Sequence, residues 1–283
     1  MNQFLNLLRL FKRALAGEGQ RARQLRESRG LSFAEYLRLT ARRGHEKSEI
    51  FGQQIRTTTP FWHLHSLEEI FRQQLYSFDP GRSRPVIVDC GANVGLSVIF
   101  FANRFPQAEI LAFEPDPVLF AKLQENVRTL GLKGVQLVRA AVSSRAGKVR
   151  FHSSGDLGGR IEANEQSSGT SLVEVETIRL KTELERIFEQ HGSIDMLKID
   201  IEGEEWAVLE DCRDVLPKVA NLFVELHRRK GEDLPIHPTL ALLEKAGFRI
   251  YIKESWDNLP QPFQWRRFRP LFDFQINLFA YRH

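Results

Sequence analysis

The stretch Val86-Ile-Val-Asp-Cys-Gly-Ala-Asn-Val-Gly95 passes from β-branched apolar residues into an acid and two glycines. The same change recurs at Ala112-Phe-Glu-Pro-Asp116 and at Lys198-Ile-Asp-Ile-Glu-Gly-Glu-Glu205. Continuous apolar runs are how strands covered on both faces of a parallel sheet read. In an open sheet of that kind the ligand crevice lies outside the carboxyl ends of the strands, where these polar residues fall. Three strand tips are therefore expected to converge on one pocket.

Outward from these tips the chain alternates. Strands are expected near 85–90, 110–114, 135–140, 194–200 and 220–226, with helices near 94–104, 117–130, 203–211 and 237–246. Such alternation means right-handed βαβ units and a doubly wound, mostly parallel α/β sheet. Two further stretches, 248–253 and 274–282, follow without a helical pattern between them.

The spacing of the first loop, Asp89-x-Gly91-x-Asn93-x-Gly95, is not the G-x-G-x-x-G pattern that closes backbone amides on a pyrophosphate, and no Lys-Ser/Thr pair follows to cradle a nucleotide. Glu114, at the second tip, is placed to accept both hydroxyls of a ribose. Adenosine without phosphates, in an acid-rich pocket, points to a cofactor with a positive sulfonium, S-adenosylmethionine.

Asp89-Cys-Gly-Ala-Asn-Val-Gly95, Phe113-Glu-Pro-Asp-Pro117, Ala140-Ala-Val142, Lys198-Ile-Asp-Ile-Glu-Gly-Glu-Glu205 and Glu225-Leu-His227 together resemble the successive motifs of FkbM-type methyltransferases over roughly residues 66 to 282. The ordered Lys-x-Asp-x-Glu-Gly-x-Glu motif is the specific part; the glycine loop alone is shared by many α/β proteins. The resemblance implies a seven-stranded Rossmann-like methyltransferase sheet closed by 248–253 and 274–282 as an antiparallel pair. It also implies metal-independent transfer of a methyl group from S-adenosylmethionine to a hydroxyl oxygen of a small-molecule, sugar or glycolipid acceptor. One position departs: Ile178-Arg-Leu-Lys181 carries Lys where the family has Asp. A nicotinamide-dependent oxidoreductase and a non-catalytic adenosine-binding scaffold are the competing classes; the first lacks its glycine fingerprint, and Lys181 leaves room for the second.

In 283 residues, 42% of them hydrophobic, one α/β core and an extension can be built. The division expected is a helical, basic extension over 1–80 and a methyltransferase domain over 81–283. Residues 1–84 hold 15 Lys and Arg against 8 acids, a balance of +7, and the remainder carries −3, so the catalytic half is mildly acidic and nucleic acid is not the expected partner. Cys90 and Cys212 form no CxxC and give neither a disulfide framework nor a zinc signature, which fits a reducing cytoplasm. No apolar run approaches the length of a membrane span.

Phe4, Leu8, Phe11 and Leu15 recur at helical spacing beside Arg9, Lys12 and Arg13, making residues 3–15 a basic amphipathic helix. It either lies on the anionic inner face of a membrane or packs its stripe on the domain or on a second subunit. Ser32 and Ser66, each followed three residues later by Glu, read as capping boxes that open helices. Ser153 to Thr170 reads as a long loop, either an acceptor lid or a surface insertion. Trp256 to Arg269 mixes aromatics with arginines, suiting a sugar or phosphate-bearing acceptor or a structural turn.

The cofactor set read from these motifs is Asp89, Gly91, Asn93, Gly95, Glu114, Ala141, Val142 and Asp200, with Ala141 and Val142 at the end of the third strand flanking the adenine. The catalytic set is His227, Asp200, Lys198 and Glu202, without a metal. By strand parity Lys198, Asp200 and Glu202 share one face, and Glu225 and His227 share another tip beside it. His227, with an unperturbed pKa near 6.5, is the expected base. If the amino-terminal stripe faces lipid, removal of residues 1–15 abolishes sedimentation with anionic vesicles and leaves turnover of a soluble acceptor unchanged; if it faces the core, thermal stability falls instead.

Overall fold

Val86–Cys90 is buried at every position, as its unbroken apolar run requires of a central strand. A computed structural model of the protein describes residues 33–41, 47–153, 160–161, 171–229, 235–254 and 272–282. In chain order these form α1 (Phe33–Thr40), a hairpin of β1 (Lys47–Ile50) and β2 (Gln53–Arg56), and α2 (Pro60–Ser66), which widens into a π-helical turn over Leu67–Arg72. Then come β3 (Val86–Cys90), α3 (Leu96–Arg104), β4 (Glu109–Phe113), α4 (Pro117–Thr129), β5 (Val135–Val138), β6 (Ala141–Ser143), β7 (Gly147–Ser153), β8 (Arg160–Ile161) and β9 (Ser171–Arg179). The rest is α5 (Leu180–His191), β10 (Ile194–Ile199), α6 (Glu205–Cys212), β11 (Val219–Arg229), α7 (Ile236–Lys245), β12 (Arg249–Glu254) and β13 (Phe272–Tyr281).

Seven strands make the main sheet in the order β12-β13-β11-β10-β3-β4-β5. β11, β10, β3, β4 and β5 are parallel, and β13 runs antiparallel between β11 and β12. This is the doubly wound α/β sheet with an antiparallel closing pair expected of a Rossmann-like methyltransferase. The chain leaves β3 in one direction toward β4 and later returns on its other side as β10, so the switch in strand order falls between β3 and β10, the place where such sheets open a crevice.

Alternation along each strand sorts the core into two layers. Val88, Leu111, Leu197, Val224 and Leu278 pack with Leu184 and Phe188 of α5, Leu209 of α6 and Leu243 of α7. Ile87, Ile110, Met196 and Phe223 face the opposite way, onto Ile99 and Phe100 of α3 and Leu123 of α4. The described part of the amino-terminal extension joins this second layer: Leu39, Ile50, Ile55, Leu67, Phe71 and Tyr76 belong to the same core cluster.

Several expectations are corrected. Ser66 does not cap a helix; it closes α2 with helical dihedrals, and the chain continues into the π turn, so Glu69 meets His65 instead at 3.1 Å. The extension is not purely helical, because β1 and β2 pair across Phe51-Gly52, both at positive φ. The third strand stops at Val138; Ala141 and Val142 begin a second sheet, β6-β9-β7-β8, in which Ala141 pairs with Thr177 and Val142 with Ile178. Within the expected loop 153–170, Arg160 and Ile161 pair with β7. That sheet was hidden because its longest strand, Ser171–Arg179, alternates Glu with Val and Thr and so lacks an apolar run. Residues 3–15, Ser32 and Trp256 to Arg269 lie outside the described residues. Among those described, no helix is long and apolar enough to cross a membrane.

Gly91 leaves β3 with φ of 86°, and a Cβ there would sit 1.8 Å from the Asp200 carbonyl oxygen. Gly91→Ala should therefore lose about 1–3 kcal/mol from the left-handed backbone alone, with the collision added. Urea denaturation reads this as a lower midpoint; an unchanged midpoint would mean that the β3 and β10 tips are free to move apart.

Candidate functional site

Polar residues continue the second layer's side-chain rows to the strand tips: Ile87 leads to Asp89, Ile110 to Glu114, Met196 to Lys198 and Asp200, and Phe223 to Glu225 and His227. Lys198 stands in register beside Asp89. Its ammonium lies 3.1 Å from Asp89 Oδ1, 3.3 Å from Asp200 Oδ2 and 2.8 Å from the Gly91 carbonyl oxygen, to which it donates. The Asp89 contact is an ion pair off the hydrogen-bonding direction; the other Asp89 oxygen accepts from Ser97 Oγ at 2.5 Å. Burial alone would lower the Lys198 pKa, but Asp89 and Asp200 outweigh it and hold the amine well above its ordinary value. Tyr76, from the extension, is buried beside the network, with the Lys198 ammonium 6.0 Å from its ring centre.

The glycine loop is held from both sides. Gly91 and Ala92 donate backbone N–H groups to the Phe113 carbonyl at 3.0 and 2.9 Å. Asn93, at φ of 52°, donates its N–H to Glu114 Oε2, and Asp116 donates its N–H to Glu114 Oε1, each at 2.8 Å. Burial nevertheless pushes the Glu114 carboxyl up to about 7. Each of its oxygens retains a second lone pair for a hydroxyl donor. Asp116 then caps α4 by accepting from Val118 and Leu119. Buried Asn126 ties the loop to the extension: its amide donates to the Val94 and Arg56 carbonyls at 2.8 Å. No motif marks Asn126; a lone Asn on an apolar helix face was its only signal.

β10 ends at Ile199, so strand parity does not carry to Glu202. A turn does the work instead, with Glu202 at φ of 60° and Gly203 at 121°. It brings Glu202 Oε1 to 3.8 Å and Asp200 Oδ1 to 4.0 Å from His227 Nε2. Asp200, Glu202 and His227 offer ligand atoms within 4.8 Å of one another. The Nε2 that a cation would need already faces the Gln275 amide nitrogen at 3.1 Å.

His227 is also gripped at its other nitrogen. Nδ1 lies 2.9 Å from Glu205 Oε1, with both side chains almost wholly buried. Glu205 sits in the first turn of α6 and also accepts the Gly203 N–H at 3.0 Å. Glu225, which shares the tip of β11 with His227, accepts from the Gln275 amide at 2.5 Å. His227 is not an imidazole near its ordinary value. Burial would lower its pKa, but Glu202, Glu205 and Glu225 raise it well above 6.5, and Glu202 is itself pushed up to about 7 by burial. Glu205 was legible only as the last acid of the Lys-x-Asp-x-Glu-Gly-x-Glu motif, and Gln275 gave no signal.

Ala141 and Val142 are buried, Ala141 in the small core of the second sheet and Val142 in the main core. Lys181 lies in the first turn of α5, and its ammonium is 2.6 Å from Asp214 Oδ2, tying α5 to the segment after α6.

A parallel sheet with a glycine turn and acids at three adjoining tips is the architecture of the Rossmann-like methyltransferases. Residues 89–250 match the methyltransferase FkbM domain, and the chain belongs to that family. It is 32% identical over 213 residues to the methyltransferase sdnD of Sordaria araneosa, covering 65% of this chain and 81% of that one. It is 28% identical over 219 residues to the 31-O-demethyl-FK506 methyltransferase FkbM of Streptomyces tacrolimicus, covering 66% and 82%. It is 29% identical over 178 residues to the 2-O-methyltransferase NoeI of Sinorhizobium fredii, covering 56% and 71%. Among solved structures, a methyltransferase FkbM from Methylobacillus flagellatus aligns over 75% of this chain and 46% of its own, at 17% identity and a TM-score of 0.47. Membership carries the cofactor expected at the tips, S-adenosylmethionine, and removes the oxidoreductase reading.

Because Lys198 compensates the fully buried Asp89 carboxylate as well as the partly exposed Asp200, Lys198→Met should destabilise the protein by about 3–5 kcal/mol, the loss seen when one partner of a buried pair is removed. Chemical denaturation at neutral pH checks this, and a loss below 1 kcal/mol would mean that water reaches the network.

Proposed function

We propose that the protein is an S-adenosylmethionine-dependent O-methyltransferase acting on a hydroxyl of a small-molecule, sugar or glycolipid acceptor. The observation that carries this is the Glu202–His227 pair, 3.8 Å apart beside the tips of β3, β4 and β10. The similarity to NoeI, a 2-O-methyltransferase, to FkbM, a 31-O-demethyl-FK506 methyltransferase, and to a hexuronic acid methyltransferase, AglP of Haloferax volcanii, 31% identical over 147 residues, supports an oxygen target and a sugar among the acceptors.

The residues fit the cofactor. Glu114 is fixed by two backbone donors and accepts the ribose hydroxyls. Gly91, whose missing Cβ admits the Asp200 carbonyl, lets the loop and Asp200 close around the methionine end. Asp89, through Lys198, holds that loop in place. Gly95 and Asn93 supply the positive-φ turn that shapes it. Ala141 and Val142, being core residues, carry no adenine contact in this reading. Bound there, S-adenosylmethionine supplies an electrophilic methyl group.

The chain's own contribution is alignment and a proton sink. Glu202 and His227 are coupled and titrate as a unit: both are protonated in acid, and once the pH passes about 7 the pair keeps one proton between its members. When that proton rests on Glu202, His227 is neutral and Nε2 can take the acceptor's hydroxyl proton, while the bound cofactor would supply the methyl group that the oxygen receives. Asp200 positions His227 and the loop, and Lys198 serves the fold.

Glu114→Ala should leave the fold intact and weaken S-adenosylmethionine by about 1.5–3 kcal/mol, roughly ten- to a hundredfold, in calorimetry. Unchanged affinity sinks the cofactor assignment. Methyl transfer to a competent alcohol should rise with pH through about 7, where Glu202 titrates, and then level, because the pair can take the alcohol's proton only once the second of its own two protons has left. A flat profile between pH 6 and 8 removes the pair from the chemistry.

A further inference from the structure

We propose that Glu205 and Gln275 are positioning residues that fix His227 in the Nδ1–H tautomer, leaving Nε2 as the acceptor. This rests on the proposed role of His227.

The assignment follows from which atoms can donate. Ionised Glu225 accepts only, so the Gln275 amide must turn its NH2 group to Glu225 Oε1, 2.5 Å away. The same NH2 is 3.1 Å from His227 Nε2. In the neutral ring two donors cannot meet at that contact, so Nε2 carries the lone pair and the single ring proton belongs on Nδ1. There the Glu205 carboxylate accepts it at 2.9 Å. Both neighbours select the same tautomer, each from a different element: Glu205 from α6 and Gln275 from β13, where it is the cross-strand partner of His227. An acceptor hydroxyl approaching Nε2 replaces one neutral donor with another.

The charged groups facing the ring are Asp200 and Glu202 from the turn after β10, Glu205 from α6 and Glu225 from β11 itself, with Lys198 reaching them through Asp200. The carboxylates favour an imidazolium, and the Gln275 amide opposes one. The Gly203 N–H bond to Glu205 adds a mechanical link, because it ties the turn carrying Glu202 to the carboxylate that grips His227.

The test is histidine 15N NMR of the full chain saturated with S-adenosylhomocysteine, with His227 assigned by its loss in His227→Gln. The parent should show a protonated Nδ1 and an unprotonated Nε2 when neutral. Glu205→Gln keeps the shape but removes the charge, and should lower the His227 titration by about one to three pH units, with cofactor affinity unchanged and the acid limb of the methyl-transfer profile moved by the same amount. Gln275→Met should move the titration the opposite way. A purely structural Glu205 would lower thermal stability without shifting either titration, and that result overturns the proposal. So does an Nε2–H tautomer in the parent, or selective broadening of His227 by Mn2+, which would make Nε2 a metal ligand. Parental methyl transfer by His227→Gln overturns the reading of the site beneath it, and is told apart because the tautomer and its response to Glu205→Gln would persist.

Discussion

Lys198 holds together three parts of the molecule whose charges and lone pairs would otherwise repel: the Asp89 carboxylate on β3, the Asp200 carboxylate after β10, and the carbonyl of Gly91 between them. An ammonium out of water is costly, and so is each carboxylate; the arrangement persists because each compensates the others. The strand order makes it possible. β3 and β10 are neighbours only because the chain reverses direction across the sheet, so residues more than a hundred positions apart lie in register.

From that point the site extends in two directions. Toward β4 it is backbone: amides of Asn93 and of Asp116 fix Glu114 by hydrogen bonds from N–H groups that only a proline would remove. Toward β11 it is side chain: Glu202, Glu205, Glu225 and Gln275 all converge on one imidazole. The first half has the rigidity that recognition of a fixed cofactor needs. The second is polarisable and titrates, as proton transfer needs.

The parallel strands and their helices were legible because burial on both faces writes itself as apolar runs, and because Gly91, Glu114 and Asp200 end those runs. The second sheet was not, since its strands alternate acids with β-branched residues like solvent-facing loops. Ala141 and Val142 were misplaced for the same reason: two buried residues after an apolar run look like its end whether or not the strand has already stopped. The acids around His227 could be counted in the sequence, but not their assignment. That Glu205, rather than Glu225, takes Nδ1 depends on the angle at which α6 leaves the Glu202-Gly203 turn, a tertiary quantity. The perturbed titrations are tertiary quantities too: carboxylates from other elements raise His227 against its burial, and burial raises Glu202.

Tyr76 and Gln275 lie outside the segment 89–250 that defines the family. The ring of one lies 6.0 Å from the Lys198 ammonium, and the amide of the other lies against Nε2 of His227. The matched segment therefore holds the acids and the imidazole of the site, while two of the groups packed against them come from flanking sequence that the motifs do not constrain. Relatives identical at every motif residue can thus differ in the pH at which they work, and the place to read that difference is the strand after residue 271 and the segment before residue 80.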